Sequence, residues 1–234
     1  MREKSFFKLL AFVGALGVSA CGSIVDLPGS GPAPQIYALT VHEAGAAHVK
    51  RDWRLLIDEP VASRTLDTDR IALWSSNVEV NYIAGALWSD RAPRMLQELI
   101  VESFDRADVL EMVAGGAVGM RAPYLLTSSL QAFQAEGSSG RRNARIRIKF
   151  VLVEQASADI LAAKVFEREI RARSSGAKSI VLAFDKAMGE IAPQVIDWVL
   201  ESVDAPRAPV VAVESDEEDE DESDEIEDIE DGDL

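Results

Sequence analysis

Apolar and polar side chains alternate between positions 143 and 154: Ile146, Ile148, Phe150 and Leu152 against Arg145, Arg147, Lys149 and Val151. A period of two is the mark of a strand with one buried face. Tyr124–Gln134 also reads as a strand, and the loop Gly137-Ser138-Ser139-Gly140 joins the two into a hairpin over 124–154. Ile160–Arg173 reads as another long strand with noisier alternation. Upstream, Ile36–Val41, Trp53–Ile57 and Ile71–Ser75 are short strand-like runs, and Val78–Trp88 is a longer one interrupted by Gly85. Two stretches switch to a helical period. Met95, Leu96, Leu99, Ile100 and Phe104 define a helix over about 91–107, which Ser89 or Asp90 can cap, with Pro93 in its first turn. Ile180, Ala183, Phe184, Ala187, Met188, Ile191, Val195, Trp198 and Val199 define a second over about 179–203. Pro193 lies inside that pattern and is expected to kink or split it. A strand-rich middle with two amphipathic helices predicts a mixed sheet packed by helices.

The ends of the chain follow other rules. Arg2, Lys4 and Lys8 precede the ten-residue apolar run Leu9–Val18. Ten residues reach ~15 Å as a helix, half of a ~30 Å hydrocarbon core, so residues 1–20 read as a secretory signal peptide. Val18-Ser19-Ala20-Cys21 resembles the lipobox of bacterial lipoproteins. The resemblance implies cleavage between Ala20 and Cys21, and acylation of Cys21, the single cysteine of the chain. Gly22 stands where Asp would retain a lipoprotein in the inner membrane, and so points to the outer one. Residues 21–35 carry Pro28, Gly29, Ser30, Gly31, Pro32 and Pro34 and read as a flexible tether. Residues 36–205 form the body. Residues 206–234 read as a disordered acidic tail, because dense like charge repels and stays solvated.

Charge reinforces this division. The chain of 234 residues has a net charge of −16, but Glu214–Leu234 holds 15 acidic residues and no Lys or Arg. The other 24 basic and 25 acidic residues nearly cancel. No basic footprint for nucleic acid is present.

The motif search narrows the chemistry. One cysteine excludes an intrachain disulfide and a four-cysteine zinc site. There is no G-x-S-x-G elbow and no phosphate-binding G-x-x-x-x-G-K-[ST] loop. Gly115-Gly116-Ala117-Val118-Gly119 lacks dinucleotide-binding spacing, follows no convincing strand, and reads as a flexible connection. His42 and His48 read as surface residues. Asp67 and Asp69 lack the rest of a calcium loop and suit a turn before Ile71. The expectation is therefore a protein that is not an enzyme, with no catalytic residue, cofactor or metal. Trp53, Trp74, Tyr82 and Trp88 stand out among the aromatics. Core packing is their first reading, and a partner interface formed by Trp74, Tyr82 and Trp88 is the alternative.

One resemblance draws on the whole body. Tyr37-Ala38-Leu39, Arg54-Leu55-Leu56-Ile57, the run Leu66-Asp67-Thr68-Asp69-Arg70-Ile71-Ala72-Leu73-Trp74, and Val80–Trp88 followed by Ser89–Pro93 come in the order found in auxiliary lipoproteins of ABC transport systems. With the lipobox in front, the chain resembles the PqiC-like members of that family, partners of MCE-domain lipid transport systems. The resemblance implies an α/β fold, a three-layer sandwich with a mixed β-sheet flanked by helices. It implies an outer-membrane, lipid-anchored protein facing the periplasm that docks an MCE-domain periplasmic protein, forms a homo-oligomer and catalyses nothing. It offers no role for the acidic tail. An outer-membrane assembly or scaffold lipoprotein unconnected to an ABC transporter is the alternative.

If Cys21 is the acyl acceptor, Cys21→Ala abolishes incorporation of a clickable fatty acid during growth. Persistent labelling of the variant removes the lipobox reading.

Overall fold

The computed structural model describes residues 33–41, 48–76, 78–116, 121–137, 140 and 142–206. The signal peptide, Ala20, Cys21, most of the tether, His42 and the acidic tail lie outside the described residues.

The described elements are nine strands and two helices. In chain order they are β1 (Gln35–Tyr37), β2 (Arg51–Ile57), β3 (Val61–Ala62), β4 (Arg70–Trp74), β5 (Val80–Trp88), α1 (Ala92–Ala107), β6 (Leu110–Gly115), β7 (Tyr124–Glu136), β8 (Asn143–Glu154), β9 (Ile160–Arg171) and α2 (Ala177–Asp204). All described strands join one mixed sheet, and the chain forms the predicted α/β sandwich of a mixed sheet packed by helices, with both helices on the same face of the sheet, so that the layer expected on the other face is not formed by any described helix.

Strand β7, 13 residues long, organises the sheet. Along one edge it pairs antiparallel with β8, from Tyr124↔Glu154 to Glu136↔Asn143. Along the other edge it pairs in parallel with three strands in succession: β2 at Tyr124–Leu126, β3 at Ser129–Leu130 and β4 at Gln134–Glu136. Beyond β2 lies β6, parallel to it. Beyond β4 lies β5, antiparallel, and then β1, parallel to β5. Strand β9 pairs antiparallel with the far side of β8.

The helices cover the apolar face. Helix α2 packs on β8 and β9, α1 packs on β6 and β2, and the helices touch each other. Alternation along β8 buries Ala144, Ile146, Ile148, Phe150 and Leu152 on this side. At the centre Phe184 of α2 meets Phe133 at 4.8 Å and Trp88 at 5.4 Å between ring centroids. A second aromatic chain runs Phe150–Phe166–Trp198 at 5.8 and 5.7 Å.

Several expectations change. Strand Ile36–Val41 shortens to Gln35–Tyr37. Strand β6 was not anticipated, because only Leu110 and Val113 of its six residues are buried and no alternation shows. Gly115 ends that strand and so does not belong to a flexible connection. Gly116 is required by close approach: its N–H donates to the Ile57 carbonyl at 2.7 Å, and a Cβ there would stand 2.1 Å from Asp58 Oδ1. Neither Ser89 nor Asp90 caps α1. The N-cap residue is Arg91, without a side-chain cap, and the Ala92 N–H finds the Thr68 carbonyl at 3.0 Å. Pro93, at the second helical position, has no N–H to satisfy. Pro193 does not split α2, which runs unbroken for 28 residues. The apolar faces on both sides of the proline, Met188 and Ile191 before it and Val195 and Ile196 after it, are fully buried, so packing outweighs the lost main-chain bond.

Phe184→Ala removes the ring that packs against both Phe133 and Trp88. A buried aromatic of this kind contributes ~3–5 kcal/mol. Urea unfolding should show that loss as a lower midpoint at unchanged slope, whereas a cost below ~1 kcal/mol would mean that the cluster is not packed as described.

Candidate functional site

The opposite face of the sheet is built from the other half of the same alternation. The pairing register sets side chains in rows across three to five strands. One row runs Val80–Trp74–Glu136–Asn143–Arg171 across β5, β4, β7, β8 and β9. The next runs Tyr82–Ala72–Gln134–Arg145–Glu169, and a third runs Ala132–Arg147–Glu167. Between these rows lies a groove of about 820 Å³, walled by Trp74, Ser75 and Ser76 on one side and by Asn143, Arg145, Arg147, Glu169 and Arg171 on the other.

Ion pairs fix its floor. Glu167 accepts from Arg145 Nε at 2.9 Å and from Arg147, whose Nε in turn donates to Gln131 Oε1 at 2.8 Å. Arg145 also lies 3.4 Å from Glu136, to which Gln134 donates at 2.9 Å. Asn143 donates to Glu169 at 2.5 Å. Hydrogen bonds from Arg145 and then Arg147 hold the Glu167 carboxyl below the usual carboxylate range, and the bond to Glu167 pushes the Arg145 guanidinium up. The lattice thus consumes its own carboxylates.

Two donors are left over. The Trp74 indole Nε1 is buried and has no hydrogen-bond partner among the described residues, an omission that costs ~1–3 kcal/mol unless an acceptor arrives. Arg171 is exposed, with no ion pair among the described residues. The hydroxyls of Ser75 and Ser76 stand on the Trp74 wall of the groove and the Arg171 guanidinium on the opposite one.

The three aromatics singled out as an interface part company. Trp74 lines the groove. Tyr82 lies on the same sheet face, partly buried under the Arg70 guanidinium, 3.7 Å from its ring centroid. Trp88 is 2% exposed and packs against Phe133 and Phe184. It belongs to the core and is not part of any surface. Trp53 packs edge-on against Tyr124 at 5.0 Å. Asp67 sits in the turn after Ser63 and pairs with Arg91, which also holds Glu59 at 2.7 Å. His48 is not a free surface residue: its Nε2 lies 2.8 Å from Asp197 of α2. Among the described residues no group of three or more His, Cys, Asp or Glu is placed to hold a metal. Nor is any described helix long and apolar enough to cross a membrane.

Comparison with known proteins places the fold. The chain belongs to the family of ABC-type transport auxiliary lipoprotein components, matched over residues 37–196. The crystal structure of protein XCC0632 from Xanthomonas campestris is 25% identical, with a TM-score of 0.67 over 72% of this chain and 96% of that one. A second solved structure, of an uncharacterized protein, shares the fold at 13% identity and a TM-score of 0.58, covering 72% of this chain and 99% of that one. An uncharacterized protein of Bradyrhizobium diazoefficiens is 26% identical over 177 residues, 75% of this chain. The chain spans 47% of the length of that relative. The family is that of a transport auxiliary lipoprotein, which suggests a membrane-anchored protein and a role other than catalysis.

The Glu167 pairs carry a pH signature. Its folded pKa is depressed, so its contribution is complete above the unfolded carboxylate range and is lost as pH falls through the folded value. The midpoint gap in urea between the native chain and Glu167→Gln should therefore be open at pH 7 and close below about pH 4. A gap that is constant with pH would show that the ion pairs contribute nothing.

Proposed function

We propose that this chain is the outer-membrane, lipid-anchored accessory subunit of an ABC transport system, and that it works by docking an MCE-domain periplasmic partner. The observation that carries this reading is the family match, which extends over 160 residues, 37–196, and so takes in nearly the whole body. The N-terminal residues support it. A signal peptide ending at Ala20 delivers the chain to the periplasm, Cys21 receives the acyl chains, and Gly22 directs it to the outer membrane. Several acyl chains together hold a protein stably in a bilayer, where a single chain does not. The tether 21–35 sets the body, 36–205, off from the membrane surface.

In this role the body is a binding surface for a protein that carries lipid or another hydrophobic compound across the periplasm. Homo-oligomerisation fits the same role, because among the described residues β9 pairs with β8 alone, and none of them pairs with the other edge of this 12-residue strand. An unpaired edge of that length invites either aggregation or assembly.

The test is co-purification of the lipidated chain, extracted in mild detergent from a strain carrying its transporter genes. An MCE-domain protein in constant ratio, with extractable phospholipid in the complex, is the expected result. Recovery with outer-membrane assembly proteins and no MCE protein would replace this reading with that of a scaffold lipoprotein. Sucrose-gradient fractionation checks the address, since Gly22→Asp should move the protein to the inner-membrane fractions.

A further inference from the structure

Basic residues are not evenly spread over the body. Residues 141–178, which comprise β8, β9 and the first turn of α2, hold ten basic and four acidic residues, a net of +6. Residues 1–140 and 179–213 hold 14 basic against 21 acidic. The stretch formed by β8 and β9 is thus strongly cationic, while the remainder of the chain taken together is net acidic. Most of its charge is unspent. Glu167 engages Arg145 and Arg147, and Glu190 engages Arg168. Lys149, Lys164, Arg171, Arg173 and Lys178 are exposed and have no ion pair among the described residues.

This charge meets the groove. Arg171 lines it, with Trp74, Ser75 and Ser76 on the opposite wall. The carboxylates facing the groove, Glu136, Glu167 and Glu169, are already bound to Arg145, Arg147, Gln134 and Asn143. The arginines of the lattice are neutralised by these carboxylates, so the positive charge left to offer is that of Arg171 in the groove, Lys149 on β8 and Arg173 just after β9, and it asks for an anionic, acceptor-rich strip of chain.

The same polypeptide supplies one. Glu214–Leu234 carries 15 carboxylates in 21 residues. Helix α2 starts beside the cationic district and carries the chain ~42 Å away, to Asp204, which is pinned by Arg51 at 2.5 Å. Thirty residues follow Asp204. Extended, the nine residues 205–213 reach ~30 Å and the acidic run another ~70 Å, so the return lies within reach. A segment tethered at this length is present at an effective concentration of about millimolar, which favours it over free anions of similar affinity.

We propose that the acidic segment Glu214–Leu234 docks in cis on the cationic edge formed by β8 and β9, with carboxylates entering the groove between Trp74 and Arg171. The segment has too few apolar residues to pack, so the attachment is ionic and salt-sensitive. An anionic partner would reach this edge only by displacing the tail.

The mature lipidated chain in detergent, and the same chain ended at Val213, test this against a labelled synthetic peptide of residues 214–234. The shortened chain should bind the peptide at ~50 mM NaCl and lose at least about tenfold in affinity by ~500 mM. The full chain, its site already filled, should bind the added peptide at least about tenfold more weakly. Combined Lys149→Glu, Arg171→Glu and Arg173→Glu in the shortened chain should abolish binding. The neutral set Lys149→Gln, Arg171→Gln and Arg173→Gln, which is less demanding on the fold, should weaken it by a smaller factor. The proposal is overturned if the shortened chain ignores the peptide at low salt, if both chains bind it equally, or if the neutral set binds as tightly as the native surface. It is equally overturned if the shortened chain binds phosphatidylglycerol vesicles but not the peptide, since the cationic edge would then serve the membrane.

Discussion

Everything in this sheet depends on the hydrogen bonds along one strand. A buried strand must pair its main-chain groups on both sides. For Tyr124–Glu136 one side is met by the single long partner β8, and the other by β2, β3 and β4 in turn. Among the described residues the three short strands do not pair with one another. They are fixed relative to each other only because each is in register with β7. The placement of Trp74 opposite Glu136 and of Leu55 opposite Tyr124 follows from that shared ladder. Strand β3 needs only two residues, since its part is to serve the stretch at Ser129–Leu130 that its neighbours do not reach.

Alternation then gives the sheet two unlike faces. Even-numbered residues of β8 form a dry layer under α2, while Arg145 and Arg147 stand on the other side and are held by Glu167 across the next strand. The register shift between Leu130 and Ala132 in β7 keeps both faces consistent, putting Phe133 under the helices and Gln134 in the groove. A shift of one residue anywhere along β8 would exchange the arginines with the isoleucines. The same pairing that buries the core therefore also orders the charged lattice.

The legibility of the sequence followed local contrast. Asn143–Glu154 was readable to the residue because each side chain contrasts with the next. Both helices were readable from their apolar stripes, although Arg91 and the Thr68 carbonyl cap α1 where Ser89 or Asp90 was expected. Leu110–Gly115 was not readable, since its pairing with β2 leaves half of it exposed and the glycines after it suggest a loop. The groove was legible only in part. Trp74 was noticed as an aromatic, but nothing local separates it from Trp88, which strand register and Phe184 commit to the core. Glu167, the carboxylate that Arg145 and Arg147 share, lies 20 or more residues away on β9, a relation that belongs to register and leaves no mark on nearby residues.

The way β7 bridges its neighbours bears on the order of assembly. Before residue 124 is available the chain holds two separate groups of strands, β1–β5–β4 and β2–β6, with no ladder between them. Their members interleave along the chain, so neither group is a contiguous module. A chain that emerges from its amino end must keep these pieces apart until β7 arrives to join them, and the hairpin β7–β8 is the local structure best placed to form quickly at that moment. The sheet therefore closes late: until that hairpin forms, the strands of the first half have apolar faces and unpaired edges with nothing to cover them.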